Sequence, residues 1–112
     1  LSKLPADVLR KVELEELDIS DNGLTGALPA EIGQLQNLRV LDASNNRMTG
    51  VPAEIGQLQK LETLDLSDNQ ITGLPYELGN LKKLKTLRLS GNDYSTQDLE
   101  KIRQNLPDLI IE

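Results

Sequence analysis

Three aspartates recur at one place in a repeated phrase: Asp18 in "LDISDN", Asp42 in "LDASNN" and Asp65 in "LDLSDN". Carboxylates set side by side can hold a divalent cation, divide into acid and nucleophile for glycoside hydrolysis, or attract a cationic surface. The calcium reading fails on spacing. "DISDNG" at 18–23 opens like a calcium loop, but the position where a bidentate Glu closes such a loop is Pro29. The hydrolase reading needs one carboxyl raised by burial or by a neighbour, and an open row in a chain without His supplies no such device. Cys is also absent, which removes disulfides, thiolate metal sites and thiol nucleophiles. There is no Gly-rich phosphate loop and no Ser/His constellation. No catalytic residue, metal or cofactor is therefore expected, and the chain does not read as an enzyme. Attraction of a partner surface is what remains.

The charge balance narrows that partner. Residues 1–77 hold 13 acids and 6 bases, residues 78–112 hold 5 acids and 6 bases, and the net charge is −6. Such a balance disfavours nucleic acid and anionic membrane and permits a basic or mixed-charge protein. No apolar run approaches a membrane span, so membrane insertion is not expected.

The elements that position these residues come from an internal repeat. Leu14, Leu38, Leu61 and Leu84 are spaced by 24, 23 and 23 residues. The pattern L-x-x-L-x-L-x-x-N-x-L runs through Leu14/Leu17/Ile19/Asn22/Leu24, Leu38/Leu41/Ala43/Asn46/Met48, Leu61/Leu64/Leu66/Asn69/Ile71 and Leu84/Leu87/Leu89/Asn92/Tyr94. A second phrase follows the first three copies, "LTGALPAEIGQLQN", "MTGVPAEIGQLQK" and "ITGLPYELGNLKK", and "PAEIGQLQ" occurs twice unaltered. That identity points to recent duplication of one unit or to consensus engineering. Leucine supplies 23 residues while Phe and Trp are absent, as one packing solution used repeatedly would require.

The spacing L-x-L is that of a strand, with both leucines on one face and the residue between them on the other. Each Pro that follows can open a helical turn, with Glu31, Glu54 or Glu77 near its positive end. Gly33, Gly56 and Gly79 interrupt these turns and predict short or 3₁₀ segments. One unit cannot bury its apolar side alone, so the units must stack, with a parallel sheet on one side and turns on the other. Each Asn sits at the bend after its strand, where its amide can serve backbone groups that lack ladder partners.

These residues resemble the leucine-rich-repeat family over essentially the whole chain, with wording similar to bacterial and plant-type repeats of 23–24 residues. The resemblance implies an α/β fold: a right-handed β-α superhelix with a parallel concave sheet and short helical or 3₁₀ turns on the convex side. Only the first copy is 24 long, through Ala27, and cysteine-bearing caps are missing, both unlike a plant receptor ectodomain. The chain is expected to form one domain. Residues 1–13 read as a half-repeat cap in which Leu1 matches Leu24, residues 14–94 as repeats, and residues 95–112 as a capping helix and strand. Leu4, Val8 and Val12 at four-residue spacing predict an α-helix in the first cap. Ser95 and Asp98 resemble a capping box for a helix carrying Leu99, Ile102 and Leu106. "LPDLII" fits a fifth strand through Leu106/Leu109/Ile111.

Removing the residues the fold requires leaves outward columns on the concave face. One reads Asp18, Asp42, Asp65, Arg88, Ile110; its neighbours read Glu16, Val40, Thr63, Thr86 and Glu15, Arg39, Glu62, Lys85; Ser20, Ser44, Ser67 and Ser90 form a hydroxyl row. Two readings of the Asp column stay open: solvated aspartates that orient nearby backbone, or an acidic stripe running into Lys85 and Arg88 that steers a protein partner. The expected binding residues are Glu16, Asp18, Arg39, Val40, Asp42, Glu62, Thr63, Asp65, Lys85 and Arg88, on a monomeric protein-recognition scaffold. The alternative is an architectural segment of a larger receptor or effector whose activity lies outside these residues.

Overall fold

Side chains alternate along each L-x-L stretch, so the central leucine of every strand enters the core while its flanking residues stay outside. The computed structural model describes residues 3–112 and contains four such strands: β1 (Glu16–Asp18), β3 (Val40–Asp42), β5 (Thr63–Asp65) and β6 (Thr86–Arg88). They pair in parallel, with Leu17 beside Leu41, Leu41 beside Leu64 and Leu64 beside Leu87. Leu41, Leu64 and Leu87 are fully buried, whereas Leu17, in the outermost strand, is half-buried. Burying a leucine is worth about 1.5–3 kcal/mol, so this file of leucines is the main cohesive element of the sheet. The match of Leu1 to Leu24 lies outside the described residues.

The asparagines stitch each unit to the one before it. Asn46 Oδ1 accepts the N–H groups of Asn22 (3.0 Å) and Leu24 (3.1 Å), and its Nδ2 donates to the carbonyls of Ile19 (3.0 Å) and Ala43 (3.1 Å). Asn69 repeats the pattern with Met48 N–H and the Ala43 and Leu66 carbonyls, and Asn92 does so with Ile71 N–H and the Leu66 carbonyl. The residue before each Asn is left-handed: Asp21, Asn45 and Asp68 at φ of 59°, 56° and 57°, and Gly91 at 78°. Asp, Asn and Gly are the types that tolerate this conformation best.

The outer layer consists of 3₁₀ turns at Ala30–Gln34, Ala53–Gln57 and Tyr76–Asn80, each preceded by an extended Pro. Ile32, Leu35, Ile55, Leu58, Leu78 and Leu81 project from them into the core. The short 3₁₀ turns expected at the glycines form, and the glycines also serve the stack. Gly33, Gly56 and Gly79 lie inside the turns and permit close stacking. A Cβ on Gly33 would come within 2.9 Å of the Glu54 carbonyl oxygen, and one on Gly56 within 2.9 Å of Glu77 Cβ.

Two features depart from expectation. The first cap is a 3₁₀ turn at Val8–Arg10, not an α-helix; Leu9 is buried and Val12 is 50% exposed, so the four-residue stripe is not the buried face. A second parallel sheet also joins β2 (Thr25–Ala27) to β4 (Arg47–Gly50), and its register shifts between Gly26 and Ala27, beside the additional residue of the first repeat.

At the far end, α1 (Thr96–Asn105) packs on the turn Tyr76–Asn80 and buries Leu99 and Ile102. Half of the capping box forms: Asp98 N–H donates to Ser95 Oγ (3.2 Å), but the Asp98 carboxylate accepts Leu74 N–H (3.1 Å), tying the helix to the third repeat. A fifth strand, β7 (Ile110–Ile111), completes the sheet order β1-β3-β5-β6-β7. Its register lies two residues from the sequence alignment. Ile110 pairs with Thr86 and not Arg88, and Ile111 pairs with Leu87. A slip of two keeps the same residues facing inward, so hydrophobic alternation could not detect it. The longer α1 absorbs the difference.

Candidate functional site

The exposed face of the five-stranded sheet carries all ten residues singled out from the sequence. Register sets Asp18 beside Asp42, Asp42 beside Asp65 and Asp65 beside Arg88. A parallel row on the same face runs Glu16, Val40, Thr63, Thr86, Ile110. Just before the strands, Arg39 N–H donates to the Glu15 carbonyl (2.7 Å), Glu62 N–H to that of Arg39 (2.7 Å) and Lys85 N–H to that of Glu62 (2.8 Å). Backbone bonds thus fix the order Glu15, Arg39, Glu62, Lys85. Ile110 leaves the Asp row, and Glu112 takes its place beside Arg88.

Each aspartate is half committed to its own loop. Asp18 Oδ1 accepts Ser20 N–H (3.0 Å) and Ser20 Oγ–H (2.5 Å); Asp42 does the same with Ser44 and Asp65 with Ser67, the hydroxyl distances being 2.6 Å. The reading in which these aspartates orient nearby backbone therefore accounts for one oxygen of each. The Ser20 hydroxyl, then its N–H, hold the Asp18 carboxyl below its ordinary pKa. Among the described residues, the Oδ2 atoms of Asp18 and Asp42 have no protein partner, while Asp65 Oδ2 lies 3.6 Å from Arg88 Nη1. Sequence reasoning kept the Asp and Ser columns apart, although the recurring D-x-S wording was the available signal.

Two arginines pattern the rest of the face. Arg39 Nε meets Glu62 Oε2 at 3.1 Å, with Glu15 3.6 Å from its Nη1. Hydrogen bonding and attraction from Glu62 raise the Arg39 pKa, and the reciprocal contact lowers that of Glu62. Arg88 Nε meets Glu112 Oε1 at 2.7 Å, and Glu112, then Asp65, raise its pKa. Both arginine side chains remain 49% exposed, so these pairs organise the surface more than they stabilise the fold. Lys82, Lys83 and Lys85, by contrast, take part in no ion pair among the described residues. The face thus carries one row in which acids and bases alternate, Glu15, Arg39, Glu62 and Lys85, and another in which three carboxylates run into Arg88.

A leucine-rich repeat region model matches residues 7–109. The chain belongs to the leucine-rich-repeat family. A leucine-rich-repeat protein of Leptospira interrogans is similar over 99% of this chain, at 45% identity and a TM-score of 0.91. The ectodomain of the Arabidopsis thaliana receptor kinase GASSHO1/SCHENGEN3, solved with Casparian strip integrity factor 2, is similar over 97% of it, at 31% identity and a TM-score of 0.78. Receptor-like protein 1 of Arabidopsis thaliana is 49% identical over 43 residues, or 38% of this chain. The chain spans 28%, 13% and 4% of these three proteins respectively. No helix among the described residues is long and apolar enough to cross a membrane.

Proposed function

We propose that this chain is a non-enzymatic, monomeric scaffold that recognises a basic or mixed-charge protein through the concave face of its five-stranded sheet. The observation that carries the reading is the register itself. Asp18, Asp42, Asp65 and Arg88 stand in one row on laddered strands, with an unpartnered carboxylate oxygen on Asp18 and Asp42. Side chains mounted on paired strands lose little backbone freedom when a partner docks, so the binding free energy is not consumed in ordering the site. The similar receptor-kinase ectodomain was solved in complex with a protein factor, which supports a recognition role without assigning the face used.

The test captures a partner with the intact gene product and compares variants of the chain. Reversal of charge in Asp42→Lys/Asp65→Lys is expected to weaken binding at least tenfold, about 1.4 kcal/mol, while Gln34→Ala/Gln57→Ala on the convex turns leaves it unchanged. Equal losses in the two variants refute the concave assignment. A second reading is favoured by the fraction of each similar protein that the chain spans: it forms an architectural segment of a larger receptor or effector. Under that reading both variants bind like the parent.

A further inference from the structure

An open groove of about 720 Å³ lies where the last units meet the C-terminal cap. Its walls are Lys82, Lys83 and Lys85 on one side and the segment Asn105–Ile110 on the other, with Leu84, Leu109 and Pro107 among the apolar surfaces that line it. Ile110, at 55% exposure, is one of the few large apolar side chains left in solvent. Two acids reach this groove, Glu62 and Asp108, and Glu62 is already paired with Arg39. Lys82 Nζ donates to the Gly79 carbonyl at 3.3 Å, while the ammonium groups of Lys83 and Lys85 make neither a hydrogen bond nor an ion pair among the described residues and act on Glu62 only through their field. A chain of net charge −6 thus concentrates three lysines around an apolar floor, at the end of the sheet opposite its aspartate row.

We infer that this groove binds an acidic, apolar peptide segment: an extended stretch in which a leucine-like side chain enters beside Leu84, Leu109 and Ile110 while neighbouring carboxylates meet Lys83 and Lys85. The assignment rests on charge complementarity. Ammonium groups free of direct hydrogen bonds and ion pairs, with Glu62 already held by Arg39, stand beside the exposed Ile110 and favour an amphipathic anion over a purely apolar or cationic ligand. It deepens the recognition role proposed above by giving the partner a polarity, with its basic part over the Asp row and its acidic end in the groove, and it rests on that role for its biological meaning.

The experiment titrates the isotopically labelled chain with the peptide acetyl-Glu-Leu-Asp-Leu, carrying a free C-terminal carboxylate, and follows backbone amides by NMR. Saturable shifts are expected at residues 82–85 and 105–110, with affinity reduced about tenfold or more in Lys83→Glu/Lys85→Glu and retained in Lys3→Glu/Lys11→Glu, the same charge change in the first half unit. These exposed lysines can be changed without disturbing the core, and an amide spectrum retaining the parent dispersion shows that each variant is folded. Absence of shifts at these amides up to about 5 mM peptide overturns the proposal, because even a 1 mM site would then be mostly occupied. Equal binding of the amidated peptide acetyl-Gln-Leu-Asn-Leu overturns it too, as does equal loss in both charge variants. Shifts at 82–85 that depend on protein concentration without peptide would make a second copy of the chain the occupant and also contradict it. If Asp42→Lys/Asp65→Lys leaves partner binding intact while the peptide still shifts these amides, the concave reading fails and the groove stands.

Discussion

At the residue scale, the groups with spare chemical capacity are few, and the asparagines are not among them. Asn69 lies nearly buried and joins two units through Met48 N–H and the Ala43 and Leu66 carbonyls. Asn69→Ala leaves Met48 N–H without its acceptor and takes one of two asparagine donors from each of the Ala43 and Leu66 carbonyls, which keep Asn46 and Asn92, and is expected to destabilise the chain by about 2 kcal/mol, read from urea unfolding at constant slope. A substitution effect within 0.5 kcal/mol would show that water replaces the amide. The ion pair at Glu62 makes a prediction in pH. Its pKa is depressed in the folded state, chiefly by the Arg39 hydrogen bond, so its contribution is fully present above the ordinary carboxylate range and is lost as pH falls through the folded value. NMR titration of the Glu62 carboxyl should give a midpoint below the ordinary glutamate value, and Arg39→Gln should move it upward. An unchanged midpoint in that variant would remove Arg39 as the cause.

At the scale of elements, the unit is a strand, an Asn bend and a glycine-bearing turn, and the turns stack closely enough to forbid a methyl group. Gly56→Ala would set its Cβ 2.9 Å from Glu77 Cβ and 3.0 Å from the Glu77 backbone oxygen. Over-packing of this kind costs about 1–3 kcal/mol, and a Tm lowered by several degrees in calorimetry is the expected outcome. An unchanged Tm would mean that the stack yields there. The strands were legible in the sequence because L-x-L has a two-residue period and recurs in phase. The groups whose role was not legible act between units. The glycines look like turn breakers until the neighbouring turn is seen, and the Asp98 carboxylate looks like half of a local cap until Leu74 appears beside it. The second sheet went unseen because T-G-A and R-M-T-G have no apolar alternation to mark them as strands. The last register was missed by two because both alignments turn the same residues inward, and the backbone bonds of Glu112 with Leu87 and Leu89 that decide between them leave no mark in the sequence pattern.

At the scale of the whole molecule, stacking converts a sequence period into a surface. A chain extending 35 × 27 × 19 Å presents one row of acids on its sheet and another on its turns, where Glu31, Glu54 and Glu77 lie in the first turn of the 3₁₀ segments. The composition of the sheet face was readable in advance through the first four strands, whose columns follow from the repeat alignment, whereas the place of Ile110 and Glu112, the pairing of each Asp with its own Ser and the lysine groove required the folded geometry. The two acid rows also allow the central claim to be tested without any substitution. Carboxyl footprinting by mass spectrometry, with the captured partner present and absent, reports on both faces in one experiment. The account predicts that Glu16, Asp18, Asp42 and Asp65 lose reactivity in the complex while Glu31, Glu54 and Glu77 keep theirs. Protection of the three turn glutamates with the aspartate row still reactive would contradict it.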